Sequence, residues 1–141
     1  MNILFLCTGN SCRSQMAEGW GKKLHGDKFN FFSAGTTTHG LNPRAVTAMA
    51  KNDIDISGHK SQTTEDILKD NPGMKFDLVV TVCSDAHENC PIFPGGKVIH
   101  HGFEDPPRLT KEMNDEDQIQ AIYDRVCLEI KDFVLNIEQH L

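Results

Sequence analysis

The chain is 141 residues long, with fourteen lysines and arginines against twenty aspartates and glutamates, a net charge of −6. That length suits one ordinary domain with one sizeable core, residues 1–141. The acidic excess argues against nucleic acid or an anionic membrane as a partner, and no apolar run approaches membrane-spanning length. No basic region leads into a long apolar stretch before the first strand, so no signal peptide is expected. Five cysteines are an odd count without the spacing of a secreted disulfide framework. The expected compartment is a reducing cytoplasm, where thiols serve catalysis or bind metal.

In chain order, Ile3-Leu4-Phe5-Leu6 reads as a strand buried on both faces, as in a parallel sheet. The run breaks at Cys7, and a helical pattern starts near Ser14, so Cys7-Thr8-Gly9-Asn10-Ser11-Cys12-Arg13-Ser14 joins strand to helix. Gly9 and Asn10 tolerate the positive φ of a tight turn. Successive N–H groups of such a turn form an anion-binding nest backed by the positive end of the helix. Cys7 opens this ring, and its field favours the thiolate. Arg13 closes it with two parallel N–H donors for a tetrahedral anion. The loop reads as a phosphate-type cradle with a nucleophile at its floor. Cys12 has no role legible from spacing and is expected to pack or support the loop.

Met16, Ala17, Trp20 and Leu24 recur at helical spacing, with Gly26 as the stop. Phe29 to Ala34 reads as a second strand. Asn42-Pro43 starts a helix, with Asn as N-cap and Pro at the first helical position, and Val46, Met49 and Ala50 are its expected buried face. Thr64 to Leu68 reads as a short helix before the Asn71-Pro72-Gly73 turn. Phe76 to Val82 is the third strand and Gly96 to His100 a short fourth. Asn114 is the expected cap of a last helix striped by Ile119, Ile122, Val126, Ile130, Phe133, Val134 and Ile137, with Cys127 packing beside the stripe. The alternation predicts an α/β fold, a four-stranded parallel sheet flanked by helices. In such sheets the ligand site lies at the carboxyl ends of the strands, which brings together Cys7, Cys83 and Asp105.

Cys83 and Cys90 stand seven residues apart, just past a strand end. A metal site would draw on Cys83, His87, Cys90 and His100 or His101, but that is not a common zinc spacing. Two thiols able to form a disulfide beside a third that attacks an anion fit better. Phosphate offers thiols no two-electron reduction, whereas arsenate, of the same shape and charge, does.

The stretch Leu6 to Gly19 resembles the opening of the thioredoxin-coupled arsenate reductases, which share the low-molecular-weight tyrosine phosphatase fold. The likeness continues through Ser33-Ala34-Gly35, His39 to Pro43, Asp55-Ile56-Ser57, Asp77 to Thr81 and Gly102 to Pro106. It implies that Cys7 attacks arsenate within a cradle of Thr8, Gly9, Asn10, Ser11, Cys12, Arg13 and Ser14. It further implies that Asp105 is the general acid, its protonated form favoured by the anion and thiolate nearby. Cys83 would then attack Cys7, releasing arsenite, and Cys90 would attack Cys83, leaving a Cys83–Cys90 redox disulfide for thioredoxin. A monomer with no tightly bound cofactor is expected, with phosphate or sulfate as substrate mimics. Some relatives hold a potassium ion behind the cradle. Asn10, Glu18 and Ser33 match that pattern, but Gln62 stands where a carboxylate belongs, which weakens or removes the ion.

Two rival functions remain open. A phosphotyrosine phosphatase would carry aromatic residues after the Asp-Pro of the acid loop. Here Pro107 and Arg108 stand there, so only weak hydrolysis of small aryl phosphates is expected. An arsenite- or metal-binding sensor built on Cys83 and Cys90 would have no need of Arg13 or an anion nest.

Overall fold

The computed structural model describes residues 1–83 and 96–141. Its strands are β1 (Asn2–Cys7), β2 (Asn30–Gly35), β3 (Leu78–Thr81) and β4 (Lys97–His100). Its α-helices are α1 (Arg13–His25), α2 (Pro43–Ala50), α3 (Thr64–Asp70), α4 (Pro106–Leu109) and α5 (Glu116–Leu135), and a 3₁₀ turn spans Ile137–His140. The strands form a wholly parallel sheet in the order β2-β1-β3-β4.

The central strand explains the rest. Ile3, Leu4, Phe5 and Leu6 are all 0% exposed, as their unbroken apolar run requires. Because side chains alternate across a strand, Ile3 and Phe5 join one core cluster and Leu4 and Leu6 another. α1, α2 and α5 supply the first cluster, with Trp20, Met49, Val126 and Ile130. α3 supplies Ile67 to the second, beside Phe76 and Val79. Hydrogen bonds tie α1 to α5: Trp20 Nε1 donates to the Cys127 carbonyl at 3.1 Å, and the His25 ring meets the Val134 carbonyl at 2.9 Å.

The expected elements are present, with shifted edges. α5 is capped by Asp115 rather than Asn114: its carboxylate accepts from the Asp117 and Gln118 amides at 2.9 and 3.1 Å. A carboxylate complements the positive helix end better than an amide. On α2 the buried residues are Ala45, Ala48 and Met49, while Ala50 is exposed and Val46 half-buried. Here small residues let α2 approach the core closely. β3 is shorter than the run from Phe76 to Val82: the ladder holds Leu78–Thr81, while Phe76 precedes it and packs in the second cluster. α4 is a single turn where Asp105-Pro106 alone reads as an ordinary turn.

Register sets the functional edge. Cys7 pairs with Gly35 and Leu6 with Thr81. Val82 N then donates to the Leu6 carbonyl at 2.8 Å, and Phe103 N to the Val82 carbonyl at 3.2 Å. The chain segments after β1, β3 and β4 are thereby laced together at the carboxyl ends of the strands.

Candidate active site

β1 ends at Cys7 and α1 begins at Arg13, so the five residues between them must turn sharply. Asn10 takes the left-handed conformation with φ of 47°. Gly9 does not; its lack of a Cβ instead admits the His39 imidazole, which would collide with one.

The loop's carbonyls are turned outward and held there. Thr8 O accepts from the Thr36 and Thr37 amides, Gly9 O from His39 N, and Ser11 O from Asn42 N, at 2.9 to 3.1 Å. Asn10 O accepts from Gln15 Nε2 at 3.1 Å. In a planar trans peptide the next N–H points opposite to the carbonyl, so the amides that follow face the inside of the loop. α1 has no side-chain cap at its N-terminus, which leaves its first N–H groups and positive end to an anion. Among the described residues, the Thr8 hydroxyl is the buried side-chain polar atom without a protein partner, and Thr8 lines the same pocket. A buried hydroxyl left unpaired costs free energy unless a ligand satisfies it.

At the floor, Cys7 Sγ lies 2.9 Å from Ser14 Oγ, and Asn10 Nδ2 donates to that same oxygen at 2.9 Å. Since Ser14 Oγ already accepts, its own hydrogen is free to be donated to the sulfur. Cys12 shares the pocket but differs chemically. Burial pushes its thiol well above the ordinary range, against the opposing pull of Arg13, so it stays protonated. Burial also pushes Cys127 up to about 11, and its S–H donates to Met49 Sδ at 3.4 Å. Both fit packing roles.

Arg13 is 4% exposed. Its NH1 donates to the Phe103 carbonyl at 3.2 Å and the Val82 carbonyl at 3.5 Å, and NH2 lies 3.6 Å from Asp105 Oδ1. The guanidinium thus braces the cradle against the ends of β3 and the Asp105 loop. Asp105 and Pro107 face Cys7, Arg13, His39 and Asn42 across a pocket of about 630 Å³. Cys83 is 0% exposed, with its Sγ 4.0 Å from the carbonyl of Leu6, the residue before Cys7. Cys90 and His87 lie outside the described residues.

Residues 2–139 match the family model of the low molecular weight phosphotyrosine protein phosphatases. The chain belongs to this family. Within it, the chain is 53% identical over 135 residues to arsenate reductase 1 of Staphylococcus saprophyticus, covering 94% of this chain and 95% of that protein. A solved arsenate reductase in its phosphate-binding state superposes with a TM-score of 0.73 at 28% identity, covering 99% of this chain and 97% of that one. A family phosphatase from T. tengcongensis superposes with a TM-score of 0.70 at 27% identity, covering 100% and 99%.

The residues on which the resemblance would place a cation are engaged by the protein's own donors. Glu18 Oε1 accepts from Ser33 Oγ at 2.6 Å, and Glu18 Oε2 pairs with the Lys22 ammonium at 2.5 Å and faces His59 Nε2 at 3.6 Å. Asn10 Oδ1 accepts from Gln62 N and Gln15 Nε2, while Gln62 Nε2 donates to Ser33 O at 3.2 Å. Gln62 presents a donor where a cation needs an oxygen, and an ammonium already neutralises Glu18, so these residues do not fit potassium. Of the zinc-type alternative, His100 Nδ1 is held by Thr81 Oγ1 at 2.8 Å and His101 stacks on Phe133. No group of three metal-ligating side chains occurs among the described residues.

The pocket also contains residues that spacing did not single out. His39, Leu41 and Asn42 line it, brought there by the amide bonds from His39 and Asn42 to the cradle carbonyls. The Asn-Pro helix start was the available signal, since a capping loop with a fixed direction is well suited to forming a wall.

Proposed function

We propose that this protein reduces arsenate to arsenite through Cys7, Cys83 and Cys90, with thioredoxin as the electron donor. The observation that carries the reading is the buried Cys83 thiol against the Leu6 carbonyl, beside the nucleophile's own strand end. A phosphatase cradle needs one nucleophile, and a second thiol at that position is useful only if electrons must follow the anion. The arsenate reductases that match nearly the whole chain support the same choice.

In the proposed sequence, arsenate enters the cradle and meets the inward amides, the Thr8 hydroxyl and Arg13. Cys7 thiolate attacks arsenic while Asp105 gives its proton to the departing oxygen, which leaves as water or hydroxide. Cys83 thiolate then attacks Cys7 Sγ. The S–As bonding pair moves to arsenic, arsenite leaves, and a Cys7–Cys83 disulfide remains. Cys90 attacks Cys83 Sγ, freeing Cys7 and leaving the Cys83–Cys90 bond, which the thioredoxin dithiol reduces. One arsenate consumes two electrons. The chemistry requires free thiols at rest, hence the reducing cytoplasm, and the protein acts as a monomer. Pro107 lines the pocket where a phosphatase would grip a phenol ring, so hydrolysis of small aryl phosphates is a weak side activity.

The decisive experiment measures arsenite formed from arsenate with thioredoxin, its reductase and a nicotinamide reductant. Cys7→Ser should abolish both arsenate reduction and aryl phosphate hydrolysis. Cys83→Ser and Cys90→Ser should stop multiple turnover with thioredoxin yet leave aryl phosphate hydrolysis largely intact. Appreciable turnover by Cys7→Ser, or equal loss of both activities in the other two, contradicts the reading.

A further inference from the structure

The geometry points to Gln15 as the positioning residue that turns the Ser11 amide of the cradle toward a bound anion. The inference rests on the reading of this loop as an anion site and names a residue, outside the pocket lining, that shapes it.

Three of the loop's outward carbonyls are held by backbone amides: Thr8 O by Thr36 and Thr37 N, Gly9 O by His39 N, and Ser11 O by Asn42 N. Such bonds belong to the fold and do not depend on which side chains stand nearby. The Asn10 carbonyl is held differently, by the side-chain amide of Gln15, whose Nε2 donates to it at 3.1 Å. Asn10 is also the residue of the loop in the left-handed conformation, with φ of 47°, which a residue with a Cβ adopts at a cost. Its carbonyl and the Ser11 N–H lie on opposite sides of one planar peptide. Holding the carbonyl out therefore aims that N–H inward. Ser11 lines the pocket, whereas Gln15 does not.

Gln15 stands in the first turn of α1 and is 0% exposed. A buried amide is costly unless it is hydrogen-bonded, and here both of its ends are. Nε2 faces Asn10 O and Asn10 Oδ1 at 3.1 Å and Lys60 O at 3.2 Å. All of these are acceptors, so the nitrogen belongs on that side. Oε1 then faces His59 Nδ1 at 3.0 Å, which must carry the hydrogen. His59 and Lys60 thus fix the Gln15 amide in one orientation. The Asn10 side chain has anchors besides Gln15: Gln62 N donates to Oδ1 at 2.8 Å, and Nδ2 reaches Ser14 Oγ at 2.9 Å. Removing the Gln15 donor should therefore free the Asn10–Ser11 peptide while leaving the Asn10 side chain, Ser14 and Cys7 in place.

The test uses the reduced full-length protein with inorganic phosphate as the probe. Gln15→Met keeps the length of the side chain and removes its donor and its acceptor. It should raise the phosphate dissociation constant, and the half-saturating arsenate of single-turnover arsenite formation, about tenfold, with the maximal rate kept within about threefold. On addition of phosphate the Ser11 amide proton should shift in the unmodified protein and barely in the variant, while the Gly9 and Cys12 amides shift in both. In the phosphate-free protein, the residual dipolar coupling of the Ser11 N–H should change in the variant and those of Gly9 and Cys12 should not. His59→Leu should reproduce part of the affinity loss, and His59→Asn, whose amide nitrogen can replace Nδ1, should retain the affinity. That pair decides the matter if Gln15→Met does not fold. Unchanged phosphate affinity, an equal change at all of those amides, a loss of maximal rate larger than that of affinity, or equal loss in both His59 variants overturns the proposal. Failure of the unmodified protein to bind phosphate or to form arsenite overturns those readings instead, and the dipolar couplings then still decide the role of Gln15.

Discussion

Ser14 touches the nucleophile directly: its hydroxyl accepts from Asn10 and has its own hydrogen to give to Cys7. A hydrogen bond to a charged group contributes about 1.5–3 kcal/mol. Ser14→Ala should therefore slow single-turnover arsenite formation by about tenfold to a hundredfold, with phosphate binding changed far less. Measuring both on one preparation separates an effect on the nucleophile from collapse of the cradle. Arg13 answers a different need. Its guanidinium reaches the Phe103 and Val82 carbonyls while standing beside Asp105, a fork that lysine cannot reproduce. Arg13→Lys should weaken phosphate binding as well as rate. The thiols of Cys12 and Cys127, held protonated by burial, should be dispensable: serine at either position should leave arsenate turnover in place in the folded protein.

The cradle is shaped as much by the end of β2 as by its own residues. Gly35 lies opposite Cys7 in the ladder, and a Cβ there would stand 2.6 Å from Thr8 O, 2.8 Å from Thr37 O and 2.9 Å from Asn10 N. All three are backbone atoms, which cannot swing aside as a flexible side chain would. Gly35→Ala should push the loop off its outward hydrogen bonds and weaken phosphate binding by at least about tenfold, read by calorimetry, while β1 and β3 keep their slow amide exchange. At α5 the cap is separable from the site. Asp115→Ala removes the bonds to the Asp117 and Gln118 amides and should cost about 1 kcal/mol in denaturant unfolding with little change in turnover, whereas Asn114→Ala should cost much less.

Over the whole molecule, stability should carry a signature of His101. Its ring stacks on Phe133 at 4.3 Å and tilts against Phe103 at 5.0 Å. Burial chiefly, then the His140 and His100 charges, lowers its pKa below the ordinary 6.5. The unfolded chain then binds more protons than the folded one in the range just below that value, so stability rises with pH there. It is fully present above about 6.5 and is lost as pH falls toward the lowered folded value. Thermal unfolding followed between about pH 7 and about pH 5 should show a falling Tm, and His101→Gln should flatten that slope. An unaltered slope would mean that other groups carry the acid sensitivity.

The parallel sheet, its central strand and the turn from Cys7 to Arg13 were legible in the residues because each rests on local chemistry. An unbroken apolar run demands burial on both faces, Gly-Asn permits the turn, and Asn-Pro starts a helix. Element edges were less legible: Asp115 displaced Asn114 as cap, and Ala45 and Ala48 took the buried face that periodicity assigned to Ala50, since a cap or a face is chosen by what the neighbouring helix leaves room for. What only the tertiary structure decided was which distant groups meet. The lysine neutralising Glu18 is four residues from it along α1, yet Ser33 and Gln62 close the same site from other segments. The Asn42 side chain likewise caps α2 and reaches the Tyr123 hydroxyl of α5 only because those two helices pack together. Backbone propensity and burial act over a few residues and are written in their order; hydrogen-bond partners far apart in the chain exist only once the sheet register has brought its loops to one edge.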